Sequence, residues 1–266
     1  MGIALRVAYD GSKFHGFQRQ PDVRTVEGEL IGTLKKLGII RNLREARFRG
    51  ASRTDRGVSA FFNVVSFNTE NLALVQPRIL NHYLHDIWVL GTAKVSNDFH
   101  PRFHAKGKTY RYYLPDEDFD LDAMKKCSRL FLGEHDFSNF ARLEKGRNPV
   151  RKITRLEIFK QNDIITIEIS GESFLWEMVR RIITALKLCG LGLLEREEVK
   201  DMLELKTYRK IPPAPAENLV LWEIKYENLK FEIDKYSLEK AKKEFFEKFS
   251  GAIIRAAVFR DFYRGL

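Results

Sequence analysis

Residues 153–170 read Ile-Thr-Arg-Leu-Glu-Ile-Phe-Lys-Gln-Asn-Asp-Ile-Ile-Thr-Ile-Glu-Ile-Ser. Leu156 and Ile158, then Ile165, Ile167 and Ile169, alternate with polar residues, as in strands buried on one face. Asn162-Asp163 is a turn pair between them. We therefore expect strands near Ile153–Phe159 and Ile164–Ser170. Alternation of this kind marks antiparallel sheet, because strands of parallel sheets are buried on both faces and read as continuous apolar runs.

Working outward, residues 3–9, 46–50, 62–67, 88–95, 110–114 and 219–226 also read as strands. Helices are expected from Thr25, which can cap Val26, Leu30, Leu34 and Leu37 before Gly38 ends the helix, and from Pro77. Others are expected over Leu121–Leu132, from Ser173, over Glu195–Leu205, and over Leu238–Phe249. Ile211-Pro212-Pro213-Ala214-Pro215 is an extended connector. Strands and helices alternate irregularly, which favours an α+β fold with a largely antiparallel sheet. His100-Pro101 and Gly107 suggest a boundary, dividing the chain into residues 1–104 and 105–266.

The 266 residues are 44% hydrophobic and 31% charged, a globular composition with ample length for a core. The net charge of +10 points to a polyanionic partner, nucleic acid first. Cys127 and Cys189 lie far apart in sequence, so neither a disulfide framework nor a structural zinc site is expected. The six histidines show no usable ligand spacing, since Pro101 interrupts His100 and His104. No signal peptide or membrane span is read, and a reducing cytoplasmic setting is expected.

Ser52-Arg53-Thr54-Asp55-Arg56-Gly57-Val58 places one carboxylate between two arginines in a turn. Flanking cations should keep it ionised and available as nucleophile, base or charge stabiliser. The competing reading is a surface ion pair of little energetic weight. The surrounding sequence is basic. Lys35, Lys36, Arg41, Arg44, Arg47, Arg49, Arg53 and Arg56 face only Glu45 and Asp55; Arg102, Lys106, Lys108 and Arg111 face no acid; six cations between Arg142 and Arg155 face only Glu144. Such patches bind phosphates, and interleaved aromatics such as Tyr110 suit unstacked bases. Tyr112 reads instead as core.

Several segments together resemble the TruA-type tRNA pseudouridine synthases. They are Tyr9–Gln20, Thr25–Leu30, the Asp55 turn, Phe99–Phe103 with Lys108–Tyr112, Gly133–Phe140 and Met178–Ile182, so the resemblance spans about residues 3–226. Ser52 stands where that family usually has Gly, and Ser59 where a His is common. The tail beyond Asn228 resembles archaeal-type members. The resemblance implies two related ferredoxin-like halves with a continuous sheet, a cleft between them, a homodimer, and the tRNA anticodon stem-loop at positions 38–40 as target. It also implies that Asp55 is the essential carboxylate and that Arg180 pairs with it. Tyr110 would sit against a flipped uracil and is the candidate base for the C5 proton. Arg53, Arg56, Arg102 and Lys108 would contact RNA. No cofactor or metal is implied. Asp55 would attack C1′ or C6, or take the C2′ proton; the sequence leaves these open. The alternatives are a non-catalytic RNA-binding protein of the same fold and a carboxylate-dependent nucleic-acid hydrolase, the latter poorly served by basic surroundings.

Overall fold

Stacked alternation of apolar side chains builds one large sheet. A computed structural model describes residues 1–265. In chain order the strands are β1 (Gly2–Tyr9), β2 (Arg49–Gly50), β3 (Ser59–Asn68), β4 (Ile87–Val95), β5 (Gly107–Pro115), β6 (Gly133–Asp136), β7 (Val150–Gln161), β8 (Ile164–Gly171), β9 (Leu219–Lys225) and β10 (Glu232–Ile233). The helices are α1 (Val26–Lys36), α2 (Leu43–Ala46), α3 (Pro77–Tyr83), α4 (Leu121–Ser128), α5 (Met178–Gly190), α6 (Arg196–Leu203) and α7 (Lys235–Gly265).

β7 and β8 form the expected antiparallel pair, with Leu156 opposite Ile169 and Ile158 opposite Ile167. Asn162 takes φ +54° at the connection, a conformation its short polar side chain tolerates. The sheet order is β10-β4-β1-β3-β9-β5-β8-β7-β6, with β2 beside β3. Each half contains the ferredoxin-like succession β-α-β-β-α-β, with α2 added in the first half and β6 and α6 added in the second. The first half has the order β4-β1-β3-β2 and the second has the matching order β9-β5-β8-β7.

The halves join where β3 and β9 run parallel, through Ser59–Val220 and Ala60–Leu221. β2 uses the other end of the same β3 edge, at Val65 and Ser66. All other paired strands are antiparallel among the described residues. One apolar cluster runs through both halves, from Leu5, Val7 and Val64 to Ile167, Ile169 and Leu186.

Several expectations shift. Residues 46–50 hold the end of α2 and the short β2, because Asn42 caps α2 by accepting a hydrogen bond from the Glu45 N–H (2.8 Å). α4 ends at Ser128 and passes into a 3-10 turn, Arg129–Phe131, before Gly133. The terminal helix is far longer than Leu238–Phe249. The tail also returns to the first half, although the division at 104/105 assigns it to the second. β10 pairs with β4, and Ala241 packs with Trp88 and Leu90 on the face of β4 opposite the main core. Trp88 Nε1 donates to Glu244 at 2.7 Å. Phe245 packs on the Trp88 ring with centroids 4.4 Å apart, and Lys248 reaches Asp10 (3.0 Å) and Asp86 (3.3 Å), but Phe246, Phe249 and Phe262 are 66%, 61% and 62% exposed. The two cysteines, far apart in sequence and expected to build no disulfide framework, meet between α4 and α5.

Candidate active site

The Asp55 turn is held rigidly from below. The Val58 N–H donates to the Asp55 carbonyl (3.1 Å), and Gly57 at the third position has φ +86°. A type II turn requires positive φ there, which costs glycine nothing. Ser52 and Thr54 point inward, while Arg53 and Arg56 are exposed. Thr54 Oγ1 and Tyr9 Oη share a buried hydrogen bond of 2.8 Å. Asn63 Nδ2 donates to both Tyr9 Oη (3.1 Å) and the Ser52 carbonyl (2.9 Å). The Phe17 N–H donates to the Thr54 carbonyl at 3.0 Å. β1, β3 and the Tyr9–Gln20 segment thus fix the turn through groups buried by the fold.

Arg180 reaches the turn from α5. Its Nη2 donates to Asp55 Oδ2 at 2.9 Å, and its Nη1 to the Ala214 carbonyl at 3.0 Å. The Ala214 N–H returns a bond to the Arg180 carbonyl (3.1 Å). Buried Arg181 bonds Glu177 Oε2 and the Ile211 carbonyl. The Ile211–Pro215 connector therefore clamps both arginines; an extended proline segment leaves carbonyls free for guanidinium donors. The helix begins at Met178 rather than at Ser173. Glu177 before it takes φ +60°, and Trp176 bridges to Arg142, whose N–H donates to the Trp176 carbonyl (2.9 Å).

Burial pushes the Asp55 carboxyl up, and the Arg180 charge and hydrogen bond pull it back. Glu177 adds to the rise, while the Trp176 side chain opposes it. The net direction is upward. This corrects the expectation that flanking arginines govern the group: Arg53 and Arg56 project to solvent, and the cation that acts is Arg180. A carboxylate kept in partly desolvated surroundings with one guanidinium partner is a common catalytic arrangement.

Tyr110 lies on β5, opposite Leu221 of β9 and Ile169 of β8. Its ring meets Phe174 edge-on with centroids 5.2 Å apart. Its Oη is 3.1 Å from Ser52 Oγ. Burial pushes the phenol up to about 12, with Ser52 opposing and the Asp55 charge adding. Lys108 Nζ donates to the Ala51 carbonyl (2.9 Å), and burial, then the nearby Arg102, bring its ammonium down to about 8.

A cleft of about 1170 Å³ opens above these groups. It is lined by Asp55, Tyr110, Arg180, Arg53, Arg56, Arg102 and Lys108, so the structure gathers every residue singled out in the sequence. It also brings in Arg49, Arg142 and Arg147, which the sequence marks only as members of basic clusters, Phe103, which it marks only as the end of a resembling segment, and Trp176, which it does not mark. The Arg142 guanidinium stacks 4.0 Å from the Trp176 ring, a contact between segments that no local periodicity reports. Other cluster members lie elsewhere. Lys35, Lys36, Arg41 and Arg44 do not line the cleft. Arg111 bonds Glu168 (2.7 Å) and stacks on Trp222. Tyr112 is buried core.

A carboxylate clamped by one arginine, at the floor of a cleft with cationic walls and exposed aromatics, is equipment for enzymatic chemistry on a polyanion. A family model described as tRNA pseudouridine synthase matches residues 127–227. The chain is 62% identical over 261 residues to tRNA pseudouridine synthase A of Thermococcus sibiricus, covering 98% of both chains. It is 60% identical to the protein of that name from Thermococcus kodakarensis and 52% to that from Pyrococcus horikoshii, again over 98% of each chain. The chain belongs to the tRNA pseudouridine synthase A family, isomerases that convert uridine to pseudouridine.

Proposed function

We propose that this protein converts uridine to pseudouridine at positions 38–40 of the tRNA anticodon stem-loop, in the cytoplasm, with Asp55 as its catalytic carboxylate. The observation that carries the reading is the Arg180–Asp55 pair at the base of a cleft that also holds Tyr110. The reaction breaks N1–C1′, turns the base and forms C5–C1′; the C5 proton leaves and N1 gains one. The base must first leave the stem. That costs a few kcal/mol, and stacking on an aromatic such as Tyr110 returns about 1–3 kcal/mol. Asp55 serves attack at C1′ or C6, or removal of the C2′ proton, because each needs an ionised carboxylate. Tyr110 stands beside the base for the C5 step, its Oη held 3.1 Å from Ser52 Oγ.

Arg53, Arg56, Arg102 and Lys108 hold phosphates and place the stem-loop over the cleft. Incubating the purified protein with unmodified tRNA transcripts and mapping pseudouridine by base should give product at positions 38–40. Product confined to another arm would overturn the positional assignment while leaving the chemistry intact. The non-catalytic alternative predicts no product anywhere.

We take the working form to be a homodimer. The run of exposed large apolar side chains along α7, Phe246, Phe249, Ile254, Phe259 and Phe262, supports association, since contiguous apolar surface commonly meets a partner. Sedimentation equilibrium at micromolar protein should give twice the chain mass, and a monomer there would remove this part of the reading. No helix among the described residues is long and apolar enough to cross a membrane.

A further inference from the structure

Cys127 and Cys189 are the chain's two cysteines, and neither contributes to the cleft. They lie 62 residues apart, on α4 and α5, with their Sγ atoms 2.8 Å from each other. Both thiols are free here and buried, at 1% and 6% exposure.

The helix backbones meet at the same place. The Asp120 N–H, at the start of α4, donates to the Gly190 carbonyl at the end of α5 (2.9 Å). A Cβ added at Gly190 would stand 2.7 Å from Met124 Cγ, so this approach is open only to glycine. Disulfides need Cα atoms within about 4.4–6.8 Å, closer than helices packed at their usual separation of about 8–10 Å readily bring them. The glycine beside Cys189 supplies the closeness.

We propose that Cys127 and Cys189 form an intramolecular disulfide that fastens α4 to α5, the helix carrying Arg180. The reaction is exchange with a small-molecule or protein disulfide. The Cys189 thiolate, the more exposed of the two, attacks one partner sulfur and expels the first thiolate. The Cys127 thiolate then attacks Cys189 Sγ and expels the second. Two electrons pass to the partner disulfide, and the two thiol protons end on the released thiolates. The bond closes a 62-residue loop in the unfolded chain, the situation in which a cross-link restricts that state strongly. It also holds the helix that sets Arg180 against Asp55.

The test refolds the full chain in a buffer of oxidised and reduced glutathione. The expected product is a chain without a disulfide to another chain, lighter by two hydrogen atoms, with no titratable thiol in denaturant. Dithiothreitol should restore both thiols and lower the unfolding temperature by about 10 °C. The Cys127→Ser, Cys189→Ser double variant should unfold near the reduced wild-type temperature and ignore dithiothreitol. Persistence of both thiols, a disulfide between chains, or equal unfolding temperatures for the oxidised and reduced wild-type protein would each overturn the proposal. The comparison of oxidised and reduced wild-type chain needs no variant to fold.

Discussion

Asp55→Asn should release no measurable hydrogen from C5 of uridine in tRNA, a loss of at least about 10³-fold. The substitution is a mild structural change. Asparagine keeps the shape, and its Oδ1 still accepts the hydrogen bond that Arg180 Nη2 now gives to Asp55 Oδ2. The turn is fixed by Ser52, Thr54 and Val58 rather than by the carboxylate. What disappears is the negative charge, and with it nucleophile and base together. Binding to tRNA should persist with an unchanged salt dependence, because the charge removed is not one of the cations facing phosphate. Arg53→Ala gives the contrasting behaviour: weaker binding and a log–log salt slope shallower by about 1. Substantial turnover by Asp55→Asn would remove Asp55 from the mechanism, and an unchanged slope for Arg53→Ala would remove Arg53 from the phosphate contacts.

Arg180→Met should lower the rate constant for turnover by about 10²-fold near neutral pH, and the deficit should shrink as pH rises. The sign follows from the site. Burial raises the Asp55 carboxyl, and Arg180 is the strongest opposing influence. Without the guanidinium, burial acts unopposed by that charge, so the ionised fraction falls at any given pH. The acid limb of the rate profile therefore moves to higher pH. Arg180→Lys should sit between, since it keeps a charge but not the fork that spans Asp55 and the Ala214 carbonyl. A uniform loss across the pH range, with the acid limb unmoved, would show that Arg180 acts only through packing.

The same shift carries a stability cost. The folded-state value of Asp55 lies above the unfolded one, so the folded protein holds that proton more tightly. Its contribution favours folding in acid and is lost as pH rises from the ordinary carboxylate range through the raised value. The rigid hydrogen bonds of Tyr9, Thr54 and Asn63 hold the turn in place against that cost.

Much of the sheet was legible because its signal is local. Ile165, Ile167 and Ile169 mark one face of β8 whatever the rest of the chain does. The cap at Thr25 is local in the same way, with its side chain accepting from the Gly28 N–H. The start of α5 was misread. Ser173 looks like a cap, but Trp176 is drawn into a bridge with Arg142, and Glu177 is forced to positive φ. The proline stretch reads as an extended connector and nothing more; its Ala214 and Ile211 carbonyls accept from Arg180 and Arg181. Backbone acceptors carry no signature in a sequence.

Residue type and short spacing were enough for the α+β character, the antiparallel pairing and the basic surroundings, and they offered the candidate site residues that the cleft brings together. The fold adds what residue types and the resemblance leave open: the 2.9 Å geometry of the Arg180–Asp55 pair and the burial around it, the contact of Cys127 with Cys189, and a tail that folds back on β4 while Phe246, Phe249 and Phe262 stay exposed. These depend on contacts between segments from 62 to more than a hundred residues apart. Burial and partner charge, which set the carboxylate's behaviour, exist only once those segments meet.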